Sequence, residues 1–216
     1  MDNTLYYLYD PLCGWCYGAM PALAALRSSD AVRIELLPTG LFAGTGARAM
    51  DADFAAFAWS NDQRIERATG QPFTEAYRVG VLADRTQRFD SGPATWALTA
   101  VASTDPGKEY EVLKAIQQAR YGLGHDVTSV PVLAGLLRAL GLEGAAALIT
   151  HPSEDLVVAN DARITNAQIA LQAFGARGVP TFILESGHTR SLLVTHTVFS
   201  DPDDLVNQVK AVLAAP

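Results

Sequence analysis

A run rich in Leu and Tyr from Thr4 to Tyr9, closed by Asp10-Pro11, predicts a buried strand. Directly after it, Trp15, Ala19, Leu23 and Leu26 recur at spacings of three and four among good helix formers, which predicts one amphipathic helix from Gly14 to Leu26. Val32 to Leu37 predicts a second strand, and strand, helix and strand together make a βαβ unit with parallel strands. From about Phe54 to Phe174 no convincing strand pattern occurs. Helical stretches are predicted at Phe54–Thr69, Pro93–Ser103, Glu109–Arg120, Val130–Leu140 and Glu154–Phe174. Ser91-Gly92-Pro93, Asp105-Pro106-Gly107, Gly122-Leu123-Gly124 and Gly141 break them apart. After Gly175 the β pattern returns: Thr181–Leu184 and Leu192–Thr197 predict an antiparallel hairpin around Ser186-Gly187. Asp201 as cap, Pro202 at the first helical position and the acids Asp203 and Asp204 then open a terminal helix that buries Leu205, Val209, Val212 and Leu213. The pattern is a mixed α/β sheet interrupted by an all-helical insert.

At 216 residues, 49% hydrophobic and 18% charged, the chain has enough apolar side chain for a full core without staples, and no linker or repeat divides it. A net charge of -7 with scattered signs argues against nucleic acid or an anionic membrane surface as partner. No apolar run approaches the roughly 20 residues of a membrane span. The start, Met-Asp-Asn-Thr-Leu-Tyr-Tyr, lacks the basic and apolar regions of an export signal, so the expected compartment is the cytoplasm.

Cysteine usage changes the picture most. Cys13 and Cys16 are the only two, which excludes a multi-disulfide scaffold. A structural zinc would need about four ligands, and the nearest histidine in sequence is His125, so neither a metal nor any other cofactor is expected. His125, His151, His188 and His196 are spread along the chain and read as surface residues.

Three residues apart at the start of a helix, the two thiols share one face within disulfide reach. Cys13, at the helix N-terminus, would be favoured as thiolate; it would attack a disulfide to give a mixed disulfide, which Cys16 then resolves. The bland alternative is two inert core cysteines. Between them Gly14 could tune the redox balance, and Trp15 could contact substrate or simply cover the core, an ambiguity Tyr17 shares. Asp10 and Glu35 are acidic candidates for taking the Cys16 proton, although Asp10 reads more readily as the turn-former that Pro11 suggests and Glu35 as a solvated strand residue.

The segment Asp10-Pro11-Leu12-Cys13-Gly14-Trp15-Cys16-Tyr17-Gly18-Ala19 resembles the active site of DsbA-like thioredoxin-fold proteins, particularly the cytoplasmic FrnE-like group. Gly178-Val179-Pro180-Thr181 resembles that family's cis-proline loop, and the helical block lies where the family inserts its helical domain. The resemblance implies a thioredoxin fold in two pieces, residues 1–45 and 175–216, with 46–174 as an all-helical insertion between the βαβ and ββα halves, including the helix leading back. It implies a cis Pro180 beside Cys13, with the Val179 backbone pairing an extended substrate. Gly40-Leu41-Phe42 resembles a recurrent loop of the family and could line the substrate groove. One departure is plain: where thioredoxin carries a buried acid, six residues before its first cysteine, this chain has Tyr7.

The expected activity is therefore a thiol–disulfide oxidoreductase of the reductase or isomerase type, acting on protein or small thiol and disulfide partners, glutathione among them. At a cytosolic poise of about -220 to -320 mV, reduction or isomerisation is favoured over net oxidation. Two other readings stay open. Kappa-class glutathione transferases and hydroxychromene-carboxylate isomerases share the architecture, but typically place a serine at the position of Cys13. A redox-controlled client-binding module or holdase would use the disulfide only as a switch.

Overall fold

The computed structural model describes residues 3–214; the first two residues of the start read above for an export signal lie outside the described residues. Strand β1 (Thr4–Tyr9) is buried on both faces except at Tyr6, as a central strand must be. It pairs parallel with β2 (Arg33–Pro38), Tyr7 opposite Leu36, and antiparallel with β5 (Thr181–Ser186), Tyr7 opposite Phe182. β6 (Thr189–Leu192) closes the sheet, giving the order β2-β1-β5-β6. This is the thioredoxin-like arrangement expected, with a helical insertion between β2 and β5.

Several boundaries differ from the sequence reading. The expected helix from Gly14 to Leu26 is two helices, α1 (Gly14–Gly18) and α2 (Met20–Ser29), meeting at Ala19. Pro21 is the reason: it has no N–H for the carbonyl of Tyr17, and Gln71 Nε2 donates to that carbonyl instead at 3.2 Å. The second hairpin strand lies at Thr189–Leu192, not Leu192–Thr197, because Ser186 pairs with Thr189 across a two-residue turn with Gly187 at φ 60°. Turn geometry, not the apolar run, fixes this register. The terminal helix α10 (Asp204–Ala214) begins later than expected: Asp201 caps a preceding turn by accepting from Asp203 N at 3.1 Å, and Pro202 stays in that turn. Leu205 and Val209 are buried, while Val212 and Leu213 are partly so.

The insert does contain strand, a two-residue ladder between β3 (Arg48–Ala49) and β4 (Arg88–Phe89). Its helices are α3 (Ala52–Thr69), the short α4 (Glu75–Tyr77), α5 (Gly92–Thr104), α6 (Glu109–Gln117), α7 (Val130–Ala139), α8 (Glu143–Thr150) and α9 (Glu154–Ala173). Helix α8 was not foreseen. Helices α4 and α6 each run on into a π-helical turn, at 78–82 and 118–122. Helix α9 returns along the sheet edge: Arg163 Nη2 donates to the Leu36 carbonyl at 2.9 Å and pairs with Glu109 of α6, tying sheet to insert. Tyr9 Oη reaches the same Glu109 carboxylate at 3.5 Å. Among the described residues no helix is long and apolar enough to cross a membrane.

Candidate functional site

The cysteines sit where β1 ends and α1 begins. Asp10 shapes the turn by accepting from Leu12 N at 2.9 Å, as a turn-former should, but it does more. Its other oxygen accepts from Phe42 N at 3.0 Å and Ser91 Oγ at 2.7 Å, so one fully buried carboxylate ties β1, the loop after β2 and the start of α5 together. Burial pushes its pKa up, and these three hydrogen bonds pull it back.

Cys13 is the residue before α1, at φ -83° and ψ 118°, and 8% exposed; Cys16, one turn in, is fully buried. Both are free thiols. Because α1 is only five residues long, Cys13 faces the open N–H groups of a single turn instead of the end of a long helix. Burial pushes the Cys16 thiol well up, and the neighbouring Cys13 adds to the push. Of the two sulfurs, only that of Cys13 belongs to a residue with any exposure.

Opposite them, the Val179–Pro180 peptide bond is cis. Pro180 is buried and Val179 half-buried. The Cys13 Sγ donates to the Val179 carbonyl at 3.7 Å, across 166 residues of sequence. Val179 also lines a cavity of about 900 Å³ between the loop after β2, α5, α9 and the loop before β5, whose other walls include Gly40, Leu41, Trp96, Asp161, Ile164 and Arg177. Gly40 and Leu41 therefore line the groove, whereas Phe42 turns away and packs its ring at 4.7 Å from Phe89.

The remaining sequence candidates separate. Trp15 is half-buried at the rim of the core, with its ring 4.7 Å from Phe199. Tyr17 is core, stacked on Tyr121 at 4.8 Å. Glu35 is half-buried on β2 beside Arg33 at 3.7 Å, away from the sulfurs. The four histidines are exposed. Among the described residues no group of three or more His, Cys, Asp or Glu could hold a metal ion. Tyr7, at the place of thioredoxin's acid, donates from Oη to the Cys16 carbonyl at 3.0 Å, and burial raises its pKa so far that it stays a donor.

Sequence reasoning missed a second buried group behind the motif. Asp62 of α3 is 4% exposed and accepts from Tyr77 Oη at 2.9 Å; a Cβ at Gly14 would lie 2.7 Å from its Oδ1. Arg120, in the π turn after α6, is 1% exposed, with Tyr77, Phe89 and Tyr121 rings at 5.3 to 5.7 Å around its guanidinium. Tyr121 Oη holds the Leu12 carbonyl at 2.7 Å. Burial pushes the Asp62 carboxyl up to about 7, against the pull of Tyr77 and Arg120. The folded chain thus binds that proton more tightly than the unfolded chain, whose value lies near 4. Stability is then complete below about pH 4 and declines as pH rises to about 7. Denaturant unfolding at pH 5 and 8 should show this decline, and Asp62→Asn should flatten it.

The family model of the DSBA-like thioredoxin domain matches residues 4–210. The cytosolic disulfide reductase DsbM of Pseudomonas aeruginosa is 36% identical over 97% of this chain and 98% of its own, with a TM-score of 0.86. The same protein with GSH gives 35% identity, coverage of 98% and 100%, and a TM-score of 0.85. A Nitrosomonas europaea structure, 23% identical over 98% of this chain and 99% of its own, shares the fold at a TM-score of 0.78. None of the curated proteins matches the sequence. With the cysteine pair at the end of β1, the cis-proline loop facing it and the helical insertion between the two halves of the sheet, the chain belongs to the DSBA-like thioredoxin domain family.

Proposed function

We propose that this chain is a cytoplasmic thiol–disulfide reductase in which Cys13 attacks, Cys16 resolves and glutathione is a thiol partner. One observation carries the reading. The Cys13 Sγ meets the Val179 carbonyl, and Val179 also lines the cavity of about 900 Å³, so one residue borders both the thiol and a space that can hold a small molecule. In the cycle, the Cys13 thiolate attacks a substrate disulfide, forms a mixed disulfide and expels one thiolate. Cys16 loses its proton and attacks the Cys13 sulfur, which frees the reduced substrate and leaves a Cys13–Cys16 disulfide. Two glutathione molecules restore the dithiol: the first forms a mixed disulfide on Cys13, and the second removes it as glutathione disulfide.

The other parts of the site follow from this cycle. Val179 N–H donates to no backbone group among the described residues, which leaves it for an extended substrate, while Pro180 has no N–H to compete for the sulfur. Trp15, half-buried between the cysteines, offers substrate an apolar contact beside Cys13, and Gly14 keeps the turn close against α3. In domain terms, residues 1–45 and 175–216 form the thioredoxin-like unit, and 46–174 form the insert that supplies most of the cavity wall. DsbM is cytosolic by name and has been solved with GSH, which favours a reductase with a glutathione partner over an isomerase or a holdase.

The reading is tested by equilibrating the protein with glutathione buffers and following turnover of a small disulfide coupled to glutathione oxidation. A potential within about -220 to -320 mV together with turnover is the expected result. Failure of the pair to equilibrate with glutathione would overturn it. Charges at the cavity suit a zwitterionic tripeptide, since Arg177 offers a cation for a carboxylate and Asp161 an anion for an ammonium group. Arg177→Glu is expected to raise the KM for glutathione about two- to five-fold with kcat little changed, the size of an exposed ion pair. An unchanged KM would remove Arg177 from recognition.

A further inference from the structure

We infer that the insert side of the cavity holds a second subsite, built from Asn160, Trp96, Val130 and Ile149, which selects disulfides carrying an apolar aromatic group with an adjoining amide carbonyl. The preferred substrate class is then the mixed disulfide of glutathione with such a thiol. The inference rests on the proposed reading that Cys13 attacks disulfides held in this cavity.

A buried donor held in one orientation is the first ground. Asn160 of α9 is 3% exposed and lines the cavity. Arg163 Nη1 donates to Thr99 Oγ1 at 3.2 Å, and Thr99 Oγ1 donates to Asn160 Oδ1 at 3.0 Å. A guanidinium can only donate, so the Thr99 hydroxyl accepts there and keeps its own hydrogen for the oxygen of the Asn160 amide. This chain of bonds settles which end of the amide is nitrogen. The Nδ2 end makes no hydrogen bond among the described residues, yet it is not sealed from solvent as both amide atoms of Gln117 are. Its hydrogens are offered to whatever fills the cavity, and a carbonyl oxygen is the complementary group.

The second ground is the apolar surface around that donor. Trp96 of α5, Val130 at the start of α7, Ile149 of α8 and Ile164 of α9 line the same cavity, so four helices of the insert meet there. Trp96 lies one turn from Thr99 on α5, and Ile164 one turn from Asn160 on α9, which sets indole, donor and aliphatic wall side by side. Trp96 is half-buried and stands at the cavity, outside the main apolar core. An indole left partly open is a platform for a flat group. A volume of about 900 Å³ accommodates such a group together with the chain that links it to the reacting sulfur.

In turnover, the Cys13 thiolate attacks the sulfur of the apolar half and expels glutathione as its thiolate. The apolar half, now joined to Cys13, occupies the subsite. Cys16 attacks the Cys13 sulfur, frees that half as a thiol and leaves the Cys13–Cys16 disulfide, which two glutathione molecules reduce with formation of glutathione disulfide.

The experiment compares kcat/KM of the full chain for three glutathione mixed disulfides. Their second halves are the anilide of mercaptohexanoic acid, phenylheptanethiol, which has the ring and length but no carbonyl, and mercaptoethanol. Burial of the ring is expected to favour phenylheptanethiol over mercaptoethanol about ten- to hundredfold, and the Asn160 hydrogen bond to favour the anilide about two- to tenfold more. Asn160→Asp keeps the acceptor for Thr99 but has no N–H to give, so it should abolish or reverse the anilide step and retain the ring step. Trp96→Leu should shrink the ring step about two- to tenfold. A merely loosened fold would lower all three values together. Should Asn160→Asp not fold, the ranking on the parent chain and Trp96→Leu decide. Equal values for the three disulfides on the parent, or an anilide step that survives Asn160→Asp, would overturn the inference and leave the reductase reading standing. Turnover of none of the three would instead overturn that reading.

Discussion

Cys13→Ser is expected to lower disulfide turnover by a thousandfold or more, to about the level of glutathione alone, because the chain's other thiol, Cys16, is fully buried and only Cys13 meets Val179. Cys16→Ser should do something different. The attack by Cys13 remains, the resolving sulfur is gone, and mixed disulfides with substrate or glutathione should accumulate on Cys13, visible as an adduct by intact-mass measurement that dithiothreitol removes. The pair of variants separates the competing readings. A client-binding module would keep binding unfolded protein in both variants and trap nothing, whereas a Cys13→Ser chain that still turned glutathione over would indicate transferase-like chemistry at that position.

The second large effect concerns Asp10. Asp10→Ala would strand two backbone N–H groups, of Leu12 and Phe42, and the Ser91 hydroxyl, all now served by one buried carboxylate. An unsatisfied buried donor costs about 1–3 kcal/mol, and partial relaxation leaves an expected loss of about 3–5 kcal/mol. For a chain of this size that lowers Tm by roughly 6–20 °C, readable by calorimetry. Activity per folded molecule should fall as well, since the same contacts hold the turn that presents Cys13 and the loop that lines the cavity. A loss below about 1 kcal/mol would show that water takes over the three donors and that the junction is softer than its geometry indicates.

What could be read from the sequence was local. The cysteine spacing, the strand before it and the Gly178-Val179-Pro180 loop are short-range features, and each marks its own chemistry. Asp62 and Arg120 carry no such mark. Asp62 lies in a largely polar stretch of α3, and only its long-range contact with Gly14 decides that it is buried. Arg120 follows a helical run whose 3.6-residue period would be extended through it, but the π turn inserts an extra residue and rotates the next side chains inward. The break at Ala19 was legible in principle, since Pro21 announces it, yet the apolar spacing across the break masks it. Helix α8 was hidden by its small side chains: Gly144 and the alanines that follow give little hydrophobic contrast. The second hairpin strand was misplaced because its residues are polar, and its register is held by the turn and by the cross-strand Glu185–Arg190 pair, not by an apolar run.

The glycine between the cysteines also limits how this protein can be altered. Swapping the two intervening residues is an obvious way to move a dithiol along the redox scale, and it presumes that the motif is a cassette independent of its surroundings. Here the first of the two positions is walled in: a Cβ on residue 14 would approach Asp62 Oδ1 at 2.7 Å and Ile65 Cδ1 at 2.8 Å. Any bulkier graft at that place must be accompanied by a redesigned α3, so motif and insert are constrained to change together. Variation is left to the second position, Trp15, whose ring sits at the edge of the core and has room to differ.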